Sequence, residues 1–208
     1  MKNTDELPAR RSRLRTGYRC AIGMLVVVCC ALTVAWAQSE KAQEVKELNE
    51  LYSSTAFARA AGRSGTFGLN VYVDAYSTDE EVAQLAQILH DKGSDELLKA
   101  VSKLKSKGRL SPTGRVGTDV KVIRVRQTDK GRRIFLVTDR PISFVELYNG
   151  TRSRDYKFGV VQLDLDEQGK GEGAMLVATK ISFDQDNQLE LEHYGIDPVR
   201  LANVRKEK

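Results

Sequence analysis

The stretch that decides the fold is Asp119-Val120-Lys121-Val122-Ile123-Arg124-Val125-Arg126-Gln127-Thr128-Asp129-Lys130-Gly131-Arg132-Arg133-Ile134-Phe135-Leu136-Val137-Thr138. Its two flanks, Asp119–Gln127 and Arg132–Thr138, are rich in β-branched residues, and Asp129-Lys130-Gly131 between them has the chemistry of a hairpin turn. The pattern repeats downstream. Phe158–Leu165 and Ala174–Phe183 flank a longer glycine-rich turn, Asp166–Gly173. Gln188–His193 follows the turn Asp184-Gln185-Asp186-Asn187, and Val199–Val204 reads as a last strand. Consecutive hairpins make an antiparallel meander of five to seven strands, as an open sheet, a strongly curved sheet or a small barrel. Ile142–Tyr148 is apolar but short, and Asn149–Tyr156 reads as polar loop.

Upstream the texture changes. Phe67, Leu69, Val71, Val73 and Ala75 share one parity, which predicts a half-buried strand. Ser77-Thr78-Asp79-Glu80-Glu81 then supplies an N-cap and early acids, and Val82, Leu85, Ile88 and Leu89 form the apolar face of a helix. His90-Asp91-Lys92-Gly93 breaks it. Ser94-Asp95-Glu96 opens a second helix with Leu97, Leu98, Val101 and Leu104 inward; Lys103, Lys105 and Lys107 load its end and Gly108 stops it. The segment Arg109–Gly117 reads as loop. The expected class is therefore α+β, with one strand and a helical hairpin preceding the meander in a single domain over 66–205. Residues 38–65 read as a helical or flexible spacer, because Val45, Leu48, Leu51 and Tyr52 recur at helical spacing and Gly62, Gly65 and Gly68 follow.

Residues 1–37 have the order of an export signal. Arg10, Arg11, Arg13, Arg15 and Arg19 precede an uncharged run, Cys20–Ala37, that ends in Ala35-Trp36-Ala37. Cleavage after Ala37, with Ala35 and Ala37 as the small residues of the cleavage site, is one outcome. Retention of residues 20–37 as an inner-membrane anchor is the other, since the run is just long enough to span a bilayer. Either outcome places the rest of the chain in the periplasm or outside the cell. Arg10-Arg11 leaves the secretory and twin-arginine routes both open. The segment also reshapes the composition: the chain carries +5, of which residues 1–37 hold +4, and all three cysteines (Cys20, Cys29, Cys30) lie within it. The remainder is near neutral and thiol-free, which removes the grounds for a nucleic-acid partner, a disulfide framework or a thiol nucleophile.

Motifs for chemistry are weak. Asp164-Leu165-Asp166-Glu167-Gln168-Gly169 resembles the start of a calcium loop, but Met175 stands where a bidentate glutamate is needed, so a hairpin turn is expected. Gly169-Lys170-Gly171-Glu172-Gly173 lacks the ending of a phosphate loop. The two histidines, His90 and His193, do not make a His-rich zinc site. Asn149-Gly150-Thr151 is a glycosylation sequon. No metal and no cofactor is implied, and catalysis is not the favoured expectation. A hydrolase would need a polar site near His193 or within Asp139–Tyr156.

Charge is segregated. Lys99–Arg133 carries twelve basic residues against two acids, whereas Val160–Pro198 carries nine acids against two lysines. One explanation is internal, with basic and acidic hairpins side by side. The other is a basic face for an anionic partner, and it loses its motive if Lys121, Arg124, Arg126, Arg132 and Arg133 all pair with acids of the second hairpin. Candidate ligand-binding residues are Arg124, Arg126, Arg132 and Arg133 on the first hairpin, and Arg152, Arg154 and Tyr156 on the following connection.

Thr138-Asp139-Arg140-Pro141-Ile142-Ser143-Phe144-Val145-Glu146-Leu147, then Asp155-Tyr156 and Tyr194-Gly195-Ile196-Asp197-Pro198-Val199-Arg200-Leu201, resemble uncharacterised exported bacterial proteins. The resemblance covers roughly residues 66–204 and implies bacterial origin but no mechanism. The expected role is a non-catalytic binding or interaction module of the cell envelope. Its partner is an anionic envelope component or another envelope protein, and membrane contact is confined to residues 20–37 if they are retained.

Overall fold

The hairpins join strands of one antiparallel sheet in the computed structural model, which describes residues 48–60, 63–142, 155–193 and 197–208. Ten strands and two helices occur among them. Strands β1 (Glu50–Ala60) and β2 (Arg63–Val73) precede helices α1 (Asp79–Lys92) and α2 (Ser94–Ser102). Then come β3 (Gly108–Pro112), β4 (Thr118–Val120), β5 (Val122–Thr128), β6 (Gly131–Thr138), β7 (Phe158–Asp166), β8 (Lys170–Phe183), β9 (Leu189–His193) and β10 (Val199–Lys206). The expected signal over 1–37 and Ile142–Tyr148 beyond Ile142 lie outside the described residues, as does the sequon.

The sheet runs in the order β4-β3-β2-β1-β10-β8-β7-β6-β5. Its two ends are the halves of one bent segment: only Lys121 separates β4 from β5, and its amide donates to Val137 O at 3.0 Å. The path therefore nearly closes into a barrel, with β10 inserted between β1 and β8 to complete the ring. Closure leaves few unpaired edges. Of the shapes the sequence allowed, this nearly closed sheet comes nearest the barrel.

Alternation sorts the side chains. Leu69, Val71, Leu110, Ile123, Ile134, Leu136, Leu163, Met175 and Leu201 are fully buried in one cluster that fills the interior. A second cluster lies on the outside. There Leu89, Leu97 and Val101 of the helices pack on Phe158, Val160 and Ile181 of β7 and β8. Thr78 caps α1 as expected, its Oγ1 accepting from the Glu81 amide at 3.2 Å. A register shift where β8 passes Phe158–Val160 of β7 reverses the parity of β8. Leu176 before the shift and Ile181 after it consequently both face the helices.

Five expectations change. Residues 50–60 of the expected spacer are not helical; they form β1, which sits between β2 and β10. Its inward side chains are Tyr52, Ser54, Ala56 and Ala58, small or polar groups that fit a crowded interior without an aliphatic signature. Two strands, not one, precede the helices, and eight rather than five to seven follow them, ten in all. Arg109–Pro112, within the expected loop Arg109–Gly117, belongs to β3. The second helix ends at Ser102, so Leu104 and Lys103–Lys107 lie beyond it. The longer turn Asp166–Gly173 shrinks to Glu167-Gln168-Gly169, because β8 already begins at Lys170. A Cβ at Gly171 would stand 1.8 Å from Asp164 O, so a glycine there lets β8 approach β7.

Candidate functional site: the charged mouth of the barrel

The β5–β6 and β7–β8 turns, the start of β1 and the end of β10 meet at one mouth of the barrel. Pairing of Tyr52 with Lys206 and of Gly131 with Asp166 fixes this arrangement. Glu50 opens β1 there and is only 7% exposed. Its Oε2 accepts from the hydroxyls of Tyr52 and Tyr76, each at 2.7 Å. Its Oε1 accepts from Lys206 Nζ at 2.6 Å and Arg132 Nη1 at 3.5 Å. Arg132 Nη2 in turn donates to the Tyr52 hydroxyl at 2.6 Å, and the guanidinium lies 5.7 Å from the Tyr52 ring centre.

Burial alone would raise the Glu50 carboxyl pKa. The bonds from Lys206, Tyr76 and Tyr52 and the charge of Arg132 outweigh it and hold the group at about 2. Burial, and then the bond to Glu50, push both tyrosines above their ordinary range. At neutral pH the cluster is therefore one carboxylate, two neutral phenols and two cations. Each carboxylate oxygen accepts two donors, which suits a strut rather than a general base. What the strut does is fix Arg132 and Lys206 at the mouth.

Two open clefts adjoin it, of about 520 and 410 Å³, and both are lined by Arg132 and Asp166. Lys130, Arg133 and Lys170 line the larger, and Lys206 lines the smaller. Of the acids that line them, Asp164 and Asp166 are engaged; Asp129 also lines the larger cleft and Glu167 the smaller. Asp164 accepts from Arg133 and, at 2.7 Å, from Gln162 Nε2. Asp166 Oδ1 accepts from the amides of Gln168 and Lys170, each at 2.9 Å, so the calcium-like sequence is a hydrogen-bonded turn. No group of three or more possible metal ligands occurs among the described residues.

The candidate residues divide. Arg132 belongs to the mouth. Arg133 lines its cleft while paired with Asp164 directly across β6 and β7. Arg126, exposed, lies opposite Arg133 on the outer face of the sheet. Arg124 reaches Asp79 at the start of α1, and Lys121 Nζ donates to Leu104 O at 3.2 Å. Tyr156 is elsewhere, its hydroxyl bonded to Glu192 of β9. Arg152 and Arg154 lie outside the described residues. Of the five cations that would have had to pair with the acidic hairpin, Arg133 alone has such a partner among the described contacts. Sequence reasoning missed Glu50, Tyr52, Tyr76 and Lys206; pairing of β1 with β2 brings Tyr76 to Glu50, and Lys206 joins them only when β10 closes on β1. His193 ends the exposed strand β9, and Asp139 pairs with its neighbour Arg140. No protein-family model, curated protein or solved structure matches this chain.

Proposed function

We propose that this chain is an exported, envelope-associated binding module without catalytic chemistry, which holds an anionic group of an envelope component at the mouth of its barrel. The observation that carries the proposal is the convergence of two clefts on Arg132. That guanidinium is already oriented by Glu50 and Tyr52, and exposed Lys130 and Lys170 line the larger cleft with it. A pre-oriented guanidinium meets phosphate or carboxylate in a fixed geometry, and flanking ammonium groups add charge. Export is supported by the order of arginines, apolar run and Ala35-Trp36-Ala37. The hydrolase alternative would rest on His193, which ends exposed β9, and on Asp139–Tyr156, of which residues 143–154 lie outside the described residues.

The test is co-sedimentation of the full chain with phosphatidylglycerol vesicles and with beads bearing an acidic polysaccharide, against phosphatidylcholine and neutral polysaccharide controls. Because residues 1–37 can hold phosphatidylglycerol on their own, it is binding to one anionic support that weakens with Lys130→Gln and Lys170→Gln that identifies the source of the anion. Each cation near an anionic surface contributes about 1 kcal/mol, so Lys130→Gln with Lys170→Gln is expected to weaken binding roughly 30-fold. Equal binding to neutral and anionic supports, or none to either, overturns the proposal.

A further inference from the structure

Strand β9 is a different kind of surface. It lies off the barrel path, and β8 is its pairing partner among the described residues. All five of its residues are exposed. The turn that presents it is well built: the Asp184 amide donates to Gln188 O at 2.9 Å, and Asp184 Oδ1 accepts from the amides of Asp186 and Gln188. Among the described residues β9 is therefore an outermost strand held by a built turn rather than a frayed loop.

Its register with β8 gives the two faces opposite characters. Ile181 pairs with Leu191 and Phe183 with Leu189, which sets both leucines on the face where Ile181 and Phe183 pack against the helices. The helical cover stops short of them, and Leu189 and Leu191 are 59% and 37% exposed. Glu190 and Glu192 lie on the other face beside Ser182 and Lys180; Glu192 already pairs with Lys180 at 3.7 Å and accepts from the Tyr156 hydroxyl, so Glu190 is the more open of the two. From Ile181 to Pro198 the chain holds five acids and no lysine or arginine.

We infer that β9 is a docking edge for an extended segment of a partner protein in which aliphatic residues alternate with lysine or arginine. Such a strand adds to the sheet through main-chain hydrogen bonds. Its apolar side chains cover Leu189 and Leu191, and its cations face Glu190 and Glu192. A second copy of this chain does not fit. Antiparallel pairing about Leu191 sets Glu190 opposite Glu192 twice, in-register parallel pairing sets each glutamate against itself, and like charges directly opposite destabilise. The edge lies at the far end of β8 from the mouth, and neither surface depends on the other.

The probe is a six-residue peptide alternating lysine and valine, titrated into the isotopically labelled full chain. A glutamate–valine peptide of equal length serves as control. The expected result is amide shifts and at least 10-fold slower hydrogen exchange confined to 189–193, with the lysine peptide alone. Glu190→Lys is expected to weaken the response at least 10-fold while the barrel amides keep their positions. Leu191→Pro, which removes an edge donor, is expected to abolish it. Three results overturn the inference: equal response to both peptides, response at the mouth instead of β9, or none. Concentration-dependent protection of β9 without peptide also overturns it, in favour of self-pairing.

Discussion

Replacing Glu50 with glutamine keeps the shape of the side chain and an acceptor for the two tyrosines, but removes the only charge that balances Lys206 and Arg132 within the cluster. The size of the loss follows from the carboxyl's displacement from 4.5 to about 2. At about 1.4 kcal/mol per pKa unit, the folded state gains roughly 3 kcal/mol from ionised Glu50. Breaking a buried pair from one side costs a similar amount, about 3–5 kcal/mol. For a chain of this size that corresponds to a fall in Tm of roughly 6–12 °C. The pH dependence carries the sharper signature. Because the folded-state pKa is depressed, the contribution is complete above the unfolded value near 4.5 and is lost as pH falls toward 2. Urea unfolding of wild type and Glu50→Gln at several pH values between 2 and 6 measures it. The difference between the two should be about 3 kcal/mol at pH 6 and shrink toward acid. A difference under about 0.5 kcal/mol throughout, or one that does not change with pH, would refute the assignment of Glu50 as an ionised strut.

Three further outcomes follow from the packing. Leu201→Ala empties a fully buried position on the closing strand β10 and should cost about 2–5 kcal/mol in urea unfolding, with unchanged far-ultraviolet dichroism at low urea. Gly171→Ala places a methyl 1.8 Å from a backbone carbonyl of β7 and should cost at least about 1–3 kcal/mol, with amide shifts along the β7–β8 pairing; a neutral result would contradict the close approach of the two strands. A double-mutant cycle on Arg133→Ala and Asp164→Ala should return a coupling of about 0–1 kcal/mol, since both side chains are roughly half exposed and solvent screens the pair.

How much of this was legible in the sequence depends on the residues that carried each signal. Thr78 before Asp79-Glu80-Glu81, and leucines at helical spacing, marked both helices, because capping and amphipathic periodicity are local properties. The β5–β6, β7–β8 and β8–β9 hairpins were marked by turn residues between β-branched runs. Strand β1 was invisible because its inward set, Tyr52, Ser54, Ala56 and Ala58, is small or polar, and alanine favours helix when read alone. Strand β3 offers Leu110 as its one large inward side chain, between Gly108 and Pro112. The charge blocks foretold the Arg133–Asp164 pair, but Arg124 and Arg132 reach Asp79 and Glu50 instead. The mouth was legible only in Arg132 and Arg133. Glu50 and Lys206 are 156 positions apart, and no local pattern announces a contact that exists only once the ring closes.

Titration of the isotopically labelled full chain with inorganic phosphate, against chloride at matched ionic strength, tests the anion-binding mouth most directly. Saturable shifts are expected, confined to amides of residues 127–133 and 166–171 and to the Arg132 side-chain NH, with the helices and β9 unmoved. Shifts reproduced by chloride, or centred anywhere other than the mouth, would contradict anion binding there.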